Sequence, residues 1–217
     1  MDAISTGRSS ARARVRLDRD ARQRQIIGVY TTLIAEKGYS STSLRDLAAR
    51  AEISTGTLLH HFASKQELLV ATLLSISTDF LGHMREAVAG GGDAVETLRR
   101  LVRSVFESPR HDLGWRVWIS FWHEAATHPE LQAVASGRTE LSESIVTSVM
   151  AEGIAAGRLN CTDASACAEE LAALIDGVAI RLYGEGGSWD LERALRVCDR
   201  AIDALVSSQP GSPSCPT

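Results

Sequence analysis

The chain contains six histidines and four cysteines, the side chains that most often act as nucleophiles or metal ligands. His123 and His128 are five residues apart, a spacing that misses the i, i+4 pair of a helical metal site. No Ser, His and Asp order indicates a catalytic triad, and no glycine-rich phosphate loop follows a strand pattern. The residues therefore predict neither enzyme activity nor a metal site, and they require no cofactor.

The cysteines also lack a chemical pattern. They stand at Cys161, Cys167, Cys198 and Cys215, with no Cys-x-x-Cys pair and no histidine at ligand spacing. We predict free, mostly buried thiols rather than a metal or redox centre.

A short segment near the amino-terminus favours contact with nucleic acid. An apolar-faced helix over residues 43–51 is followed by a break at 52–54, and a second short helix begins with Thr55, Gly56 and Thr57. Hydroxyl groups can contact phosphates or base edges, and a glycine lets the helix approach the bases closely. The spacing predicts a helix-turn-helix whose second helix enters the major groove by its amino-terminal end.

Basic charge is concentrated in the same part of the chain. Residues 1–65 carry eleven Lys and Arg against six Asp and Glu, although the whole chain has a net charge of −4. Seven of these side chains form a tight series: Arg8, Arg12, Arg14, Arg16, Arg19, Arg22 and Arg24. Two interpretations stay open, a flexible basic arm over residues 1–18 that follows DNA phosphates or enters the minor groove, and a solvated tail without a partner.

Helical periodicity continues to residue 207, and no segment shows the sustained alternation of a strand. The predicted fold class is therefore all-α, with helices over about 19–37, 43–51, 55–61, 64–89, 94–107, 112–126, 130–156, 163–183 and 190–207. A Ser/Pro/Gly tail over residues 208–217 is predicted to be disordered. No apolar run is long enough to span a membrane and no signal peptide is evident, so we expect a cytoplasmic protein.

Residues 22–69 resemble the DNA-binding domain of the TetR family of transcriptional regulators. The matching pieces are Ile26-Ile27, Gly38-Tyr39, Thr42-Ser43-Leu44-Arg45-Asp46-Leu47-Ala48, Ser54-Thr55-Gly56-Thr57-Leu58, His60-His61-Phe62 and Ser64-Lys65-Gln66-Glu67-Leu68-Leu69. The resemblance implies a three-helix helix-turn-helix domain over residues 19–66 that binds a double-stranded DNA operator. It implies base or phosphate contacts for Thr55, Thr57 and His60, and phosphate contacts for Thr42, Ser43, His61 and Lys65.

Two residues depart from the family pattern. Glu52 stands where the family usually has glycine in the turn, so a left-handed backbone there would cost on the order of 1 kcal/mol. His61 stands where tyrosine is common, and a histidine makes the contact sensitive to pH.

Aromatic residues mark the second half of the chain. Trp115, Trp118 and Trp122 fall within about a 60° arc of one predicted helix, with Phe121 on its flank. Such a stripe fits a packed core, and it equally fits a pocket wall that stacks on a flat ligand or holds a cation over the rings. The sequence leaves both interpretations open.

Residues 115–131 and 171–182 resemble the carboxy-terminal domain of the BetI-type subgroup of this family. The matching pieces are Trp118, Phe121-Trp122, Glu124-Ala125, Pro129-Glu130-Leu131 and Leu174-Ile175-Asp176-Gly177. The subgroup makes choline or another quaternary ammonium compound a plausible effector, since aromatic cages bind such cations. Asp176 lies in an otherwise apolar run and needs a partner, either the ligand or a group within the helix packing.

The last two predicted helices carry apolar stripes that a bundle between two protomers would bury. The stripes are Leu171, Leu174, Ile175, Val178 and Leu182, and Leu191, Ala194, Leu195, Cys198, Ala201, Ile202 and Leu205. We therefore expect a ligand-binding and dimerisation domain over residues 67–207. The predicted function is a ligand-responsive homodimeric regulator, a repressor released from a palindromic operator by a small molecule. The alternative is a ligand-independent or architectural DNA-binding protein.

Overall fold

The computed structural model describes residues 3–108, 110–126 and 129–206. Within these ranges there are nine helices, and β pairing is limited to an isolated antiparallel bridge between Leu159 and Val206. The helices are α1 (Ala3–Lys37), α2 (Leu44–Arg50), α3 (Thr55–His61), α4 (Lys65–Ala89), α5 (Ala94–Glu107), α6 (His111–Ala125), α7 (Pro129–Ala155), α8 (Ala164–Tyr183) and α9 (Leu191–Leu205). None of them combines the length and apolar character that a membrane crossing requires.

The all-α prediction is confirmed, and the predicted helix bounds hold to within two residues except at one place. Helix α1 begins at Ala3 rather than near Arg19, so the backbone of the predicted basic arm is helical from Ala3, and flexibility of the arm stays a prediction. Alanine and arginine favour helix, and no proline interrupts the segment. The predicted disordered tail over 208–217 lies outside the described residues.

The described chain forms two compact units. The first contains the described residues of Met1–Thr78 and Asp112–Ala135, and the second contains those of Asp79–His111 and Ser136–Thr217. The prediction places one domain boundary after residue 66, so that each domain is one continuous stretch of the chain. Each unit of the structure instead combines two separate stretches that pack together. As a result, the tryptophan-bearing part of α6 belongs to the unit that holds the helix-turn-helix.

Helices α1, α2 and α3 pack on one another in the first unit. Each has one apolar face, and burial of these faces supplies the main stabilising term for such short helices. The buried residues are Ile26, Tyr30, Leu33, Ile34, Leu47, Ala48, Ala51, Leu58 and Phe62.

In the second unit, α9 packs against both α5 and α8. Its face toward the core carries Ala194, Cys198 and Ile202, all of which are fully buried. The other apolar residues of the two predicted stripes are divided between core and surface. Leu171 and Val178 are buried, whereas Leu174, Ile175, Leu182, Leu191, Leu195, Ala201 and Leu205 keep part of their surface exposed.

The prediction of free thiols is wrong for two of the cysteines. Cys161 and Cys167 form a disulfide, with their Cα atoms 6.8 Å apart. The chain between them bends into the first turn of α8, which brings the two cysteines, six residues apart, within bonding reach. Cys198 is free and buried, as predicted, and Cys215 lies outside the described residues.

Candidate nucleic-acid interface and aromatic cluster

Helix α3 presents a small polar front to solvent. Ser54 caps it by accepting a hydrogen bond from the backbone N–H of Thr57 at 2.9 Å, which satisfies one of the unpaired donors at a helix start. Leu58 and Phe62 are buried on the opposite side and hold the helix against the bundle. Thr55, Gly56 and Thr57, together with His60, are exposed, as a helix that enters a DNA groove requires.

Helix α2 begins with the predicted capping box. The Ser43 hydroxyl accepts from the backbone N–H of Asp46 at 3.1 Å, and the Asp46 carboxylate accepts from the backbone N–H of Ser43 at 3.0 Å. Hydrogen bonds from the Ser43 hydroxyl and backbone hold the pKa of Asp46 below its usual value. Ser43 is exposed at this helix start, where backbone N–H groups favour a phosphate.

The turn between α2 and α3 contains a left-handed residue. Glu52 has φ 54°, and its N–H donates to the Ala49 carbonyl while the N–H of Ile53 donates to the Ala48 carbonyl. These two bonds form a Schellman motif, which terminates a helix and usually places glycine at the left-handed position. The strain expected for Glu52 is thus built into the turn.

Replacing Glu52 with glycine is expected to stabilise the protein by about 1 kcal/mol and to raise Tm by about 3 °C, because glycine adopts positive φ without steric cost. Thermal unfolding by circular dichroism measures the change. Glu52→Ala removes the same charge but keeps the Cβ, so it should leave Tm unchanged. Equal stabilisation by both substitutions would attribute the effect to charge instead of backbone strain.

Thr42 does not have the position predicted for a phosphate contact. Its side chain is only 1% exposed, and its hydroxyl donates to the Gly38 carbonyl at 2.8 Å. The prediction that the side chain meets a phosphate is therefore wrong, because the hydroxyl is buried and already bonded. Thr42 instead stabilises the turn between α1 and α2.

Lys65 is engaged within the protein. Its Nζ donates to the Tyr39 carbonyl at 2.7 Å and lies 4.1 Å from the centre of the Tyr39 ring. Burial lowers the pKa of Lys65, an effect opposed by the nearby Glu124. An ammonium has three donors, so a phosphate contact by Lys65 stays a prediction, in addition to this structural role.

His61 is the last residue of α3 and lies near the positive charge of Arg19 and Arg22 on α1. Gln23 of α1 donates to its backbone carbonyl at 3.3 Å, and the ring of His60 lies 5.6 Å from its own ring. The buried Nδ1 of His61 has no hydrogen-bond partner among the described residues. Burial lowers the pKa of His61, and His60, Arg19 and Arg22 lower it further.

Helix α6 contacts the turn that leads into α2. The Ser120 hydroxyl accepts from the Tyr39 backbone N–H at 3.1 Å, and the Ser40 hydroxyl donates to the Glu124 carboxylate at 2.6 Å. We did not predict these two residues as part of a site. Their spacing of four places them on one face of α6, and Glu124 also stands among the residues that resemble the BetI-type domain.

The predicted aromatic cluster lies within the first unit. The ring centre of Trp118 is 5.2 Å from that of Phe121 and 6.4 Å from that of Trp122, distances typical of favourable aromatic pairs. Trp115, Trp118 and Phe121 are buried, with Trp118 only 2% exposed, whereas Trp122 keeps part of its surface. Core packing thus accounts for three of these side chains, and Trp122 is the one with accessible aromatic surface.

Asp176 lies in the second unit, apart from the tryptophans. Burial raises its pKa to about 6, an effect that Arg138 of α7 opposes and Glu143 reinforces. The Arg138 guanidinium also lies 4.2 Å from the centre of the Phe80 ring. The positive charge of Arg138 favours the ionised form of Asp176, so Arg138 is a candidate for the partner that a buried carboxylate needs, and an effector contact by Asp176 stays a prediction.

Two family models match the chain. One described as bacterial regulatory proteins of the tetR family matches residues 26–72. One described as the carboxy-terminal part of BetI-type transcriptional repressors matches residues 94–207. The two matched ranges include the helix-turn-helix and the helices from α5 to α9.

Relatives are similar over most of the chain. An HTH-type transcriptional regulator BetI from Burkholderia thailandensis is 31% identical, and the alignment covers 87% of this chain and 95% of the relative. The protein of the same name from Burkholderia cenocepacia is 32% identical, with 88% and 96% covered. A transcriptional regulator from Saccharomonospora viridis, solved in complex with choline, is similar in fold, with a TM-score of 0.80, 23% identity and coverage of 86% and 98%.

Proposed function

Because the chain belongs to the TetR family of bacterial regulatory proteins, with a BetI-type carboxy-terminal domain, we propose that it is a cytoplasmic repressor that a small molecule releases from its operator. This family consists of transcriptional regulators and not of enzymes. The observation that carries the proposal is the polar front of α3, where Thr55, Gly56 and Thr57 are exposed to solvent.

Charge around this front supports a DNA partner. Arg19 and Arg22 are exposed on α1 and act electrostatically on His61 of α3. Positive side chains beside a groove-entering helix neutralise phosphates and release counterions. We propose that the side chains of Thr55, Thr57 and His60 meet bases or phosphates, while Ser43, His61 and Lys65 meet phosphates.

The proposed assembly is a homodimer on a palindromic operator. Helices α8 and α9 leave Leu174, Leu182 and Leu195 partly exposed, and Ile180 is 46% exposed. A second copy packed on these helices would bury that apolar surface. Two recognition helices about 34–36 Å apart would then read two half-sites of the operator.

We propose a quaternary ammonium compound, with choline as the first candidate, as the effector. The support is the name BetI of the relatives and the choline in the similar solved structure. Trp122 and Trp118 meet in an edge-to-face pair, and their rings have the electron-rich faces that hold such cations. Asp176, in the second unit, is proposed separately as an effector contact, and the charge of Arg138 on the same unit acts on its carboxylate.

Helix α6 provides a route from these rings to the DNA-binding surface. The helix that carries Trp118 and Trp122 also bonds Tyr39 and Ser40 through Ser120 and Glu124. Movement of α6 would shift the turn into α2, and Lys65 at the start of α4 bonds the same turn. A ligand acts through such a route only by its different affinity for the two states.

The experiment that tests this function selects operator fragments from a genomic library with the purified full chain and then measures fluorescence anisotropy. Binding should weaken between about 50 and 200 mM salt, by at least about a hundredfold if several phosphates are contacted. Choline chloride should release the DNA, whereas sodium chloride at the same ionic strength should not. Trp122→Leu should weaken the choline response by about tenfold, and Asp176→Asn tests the contact proposed for that carboxylate.

Each result decides a different part of the proposal. Failure to enrich any fragment contradicts DNA-specific regulation. Specific binding without any choline response contradicts the proposed effector, and it supports a ligand-independent DNA-binding protein if no other small molecule binds. The burial of Trp115, Trp118 and Phe121 is the observation that favours this alternative.

Operator affinity is expected to rise as pH falls from about 7.5 to about 5.5, because histidine titrates in this range. In the free protein the pKa of His61 is lowered, and a nearby phosphate would raise it in the complex. The complex therefore binds more protons than the free protein, so affinity rises as pH falls through the pKa of the complex and levels off below that of the free protein. Anisotropy titrations over pH should show this for the native chain and a flatter profile for His61→Gln. Equal slopes would contradict the assignment.

Ser120→Ala is expected to reduce the release of DNA by choline by about threefold or more, since one hydrogen bond contributes about 1 kcal/mol. Without choline, the variant's affinity for the operator should change by less than about twofold. The bond that it removes joins α6 to the Tyr39 backbone. The matched control is Ser148→Ala, an exposed serine whose hydroxyl bonds a carbonyl of its own helix. Full release by the Ser120 variant would exclude this bond from the route.

A further inference from the structure

Cys161 and Cys167 stand on either side of the residue that caps α8. Cys161 belongs to the connector after α7, and Cys167 lies in the first turn of α8. Between them, the Asp163 carboxylate accepts from the backbone N–H groups of Ser165 and Ala166 at 2.9 and 3.2 Å. The disulfide therefore closes a small ring around the helix cap.

The two cysteines of the disulfide are accessible to solvent, unlike the third described cysteine. Cys161 and Cys167 are partly exposed, whereas Cys198 is fully buried. Burial raises the pKa of the Cys198 thiol to about 11, with a further contribution from Asp199. Thiol–disulfide exchange requires a thiolate that the small disulfide can reach. Cys161 and Cys167 are accessible for this reaction, whereas the burial and raised pKa of Cys198 disfavour it.

The surroundings of Cys161 can also accommodate the reduced thiol. The Cys161 sulfur lies 3.1 Å from the Asp163 carbonyl oxygen, so a thiol at this position has an acceptor for its hydrogen. The hydrogen bonds of the Asp163 cap involve no sulfur atom. Reduction can therefore open the ring without removing the hydrogen bonds that start α8.

From this geometry we propose that Cys161 and Cys167 form a reversible redox-modification site, which exchanges with small disulfides of the glutathione class. One protein thiolate attacks the small disulfide, forms a mixed disulfide and releases one small thiol. The second protein thiolate attacks the bonded protein sulfur, forms the Cys161–Cys167 bond and releases the other small thiol. Two electrons pass to the small disulfide, and the two protons of the protein thiols end on the released thiols.

Oxidation tightens the segment that joins α7, α8 and α9. The backbone N–H of Asn160 donates to the Leu205 carbonyl at 2.7 Å, and Leu159 bridges to Val206. The connector thus links the start of α8 to the end of α9 by these hydrogen bonds. The disulfide adds a covalent bond between the connector and the first turn of α8. These are the helices of the proposed dimer surface, so the oxidised form should dimerise more tightly. This last step rests on the proposed function, whereas the exchange itself does not.

The test uses the full chain in a Cys215→Ser background, equilibrated either with oxidised glutathione or with excess reduced glutathione. Maleimide labelling and peptide mass mapping should find a Cys161–Cys167 bridge only in the oxidised sample. Thermal unfolding should show a Tm about 5 °C higher for the oxidised form, because a disulfide restricts the unfolded chain. Cys161→Ser should remove the redox dependence of Tm, and Cys198→Ser, at the buried position, should keep it.

The outcomes separate the two proposals. Full labelling of both thiols in oxidised glutathione, or a bridge that leaves Tm unchanged, would overturn the redox site. A bridge with the expected Tm shift supports it, even if no DNA fragment is bound, and in that case only the proposed function fails. Sedimentation of both forms then reports the dimer, and equal dissociation constants would overturn the coupling to α8 and α9.

Discussion

Replacing Gly56 with glutamate is expected to weaken operator binding by at least about a hundredfold while the protein stays folded. Gly56 is exposed in the first turn of α3, and a Cβ at this position would meet only the Ser54 hydroxyl, at 3.7 Å. An acidic residue suits the positive end of a helix, so the fold accepts the change. On the DNA, the same carboxylate fills the space needed for close approach and faces phosphates of like charge.

Fluorescence anisotropy with the selected operator measures this loss, and circular dichroism melting confirms that the fold is retained. Gly56→Ala is the matched control, since it adds a Cβ without charge and improves helix propensity. Its affinity should fall far less than that of the glutamate variant. If Gly56→Glu binds the operator normally, then the front of α3 does not enter the groove, and the assignment of Thr55 and Thr57 fails with it.

The second large effect is on stability. Trp118→Ala is expected to destabilise the protein by about 3–5 kcal/mol, because it removes a large buried side chain and leaves a cavity. Trp118 is 2% exposed and packs on Phe121 and Trp122. Tm should fall by about 10 °C, given the size of the chain. Urea unfolding of the full chain, followed by circular dichroism, measures the free energy of unfolding.

Trp122→Ala is the control for this prediction, because Trp122 keeps part of its surface exposed. Its loss should cost clearly less than the loss of Trp118. A small cost at Trp118 would indicate that its ring lines a cavity instead of filling the core, which would strengthen its assignment to the effector. A large cost makes Trp122 the better position for separating effector binding from folding.

Much of the DNA-binding surface could be predicted from local sequence alone. The capping box at Ser43 and the cap at Ser54 depend on residues three positions apart, and the left-handed turn at Glu52 depends on residues within five positions of one another. Helix periods and caps are local properties, so a single sequence expresses them directly. The resemblance to the TetR-family DNA-binding domain, which a family model confirms, rests on the same short motifs.

The side-chain partners across long sequence distances could not be predicted in this way. The Thr42 hydroxyl has a local partner, but its burial comes from packing with the rest of the bundle. Ser120 is 81 residues from the Tyr39 backbone that it bonds. The spacing of residues along α6 shows which of them share a face of the helix. It does not show which part of the chain packs against that face.

By itself, the sequence determined that the chain is helical, where its helices end and which short helix carries the DNA-binding front, because backbone preference and apolar periodicity are encoded locally. Tertiary structure alone decided that Trp118 is buried and that Lys65 bonds the Tyr39 carbonyl. These outcomes depend on which surfaces pack together. Packing adds contacts between elements that no local pattern contains.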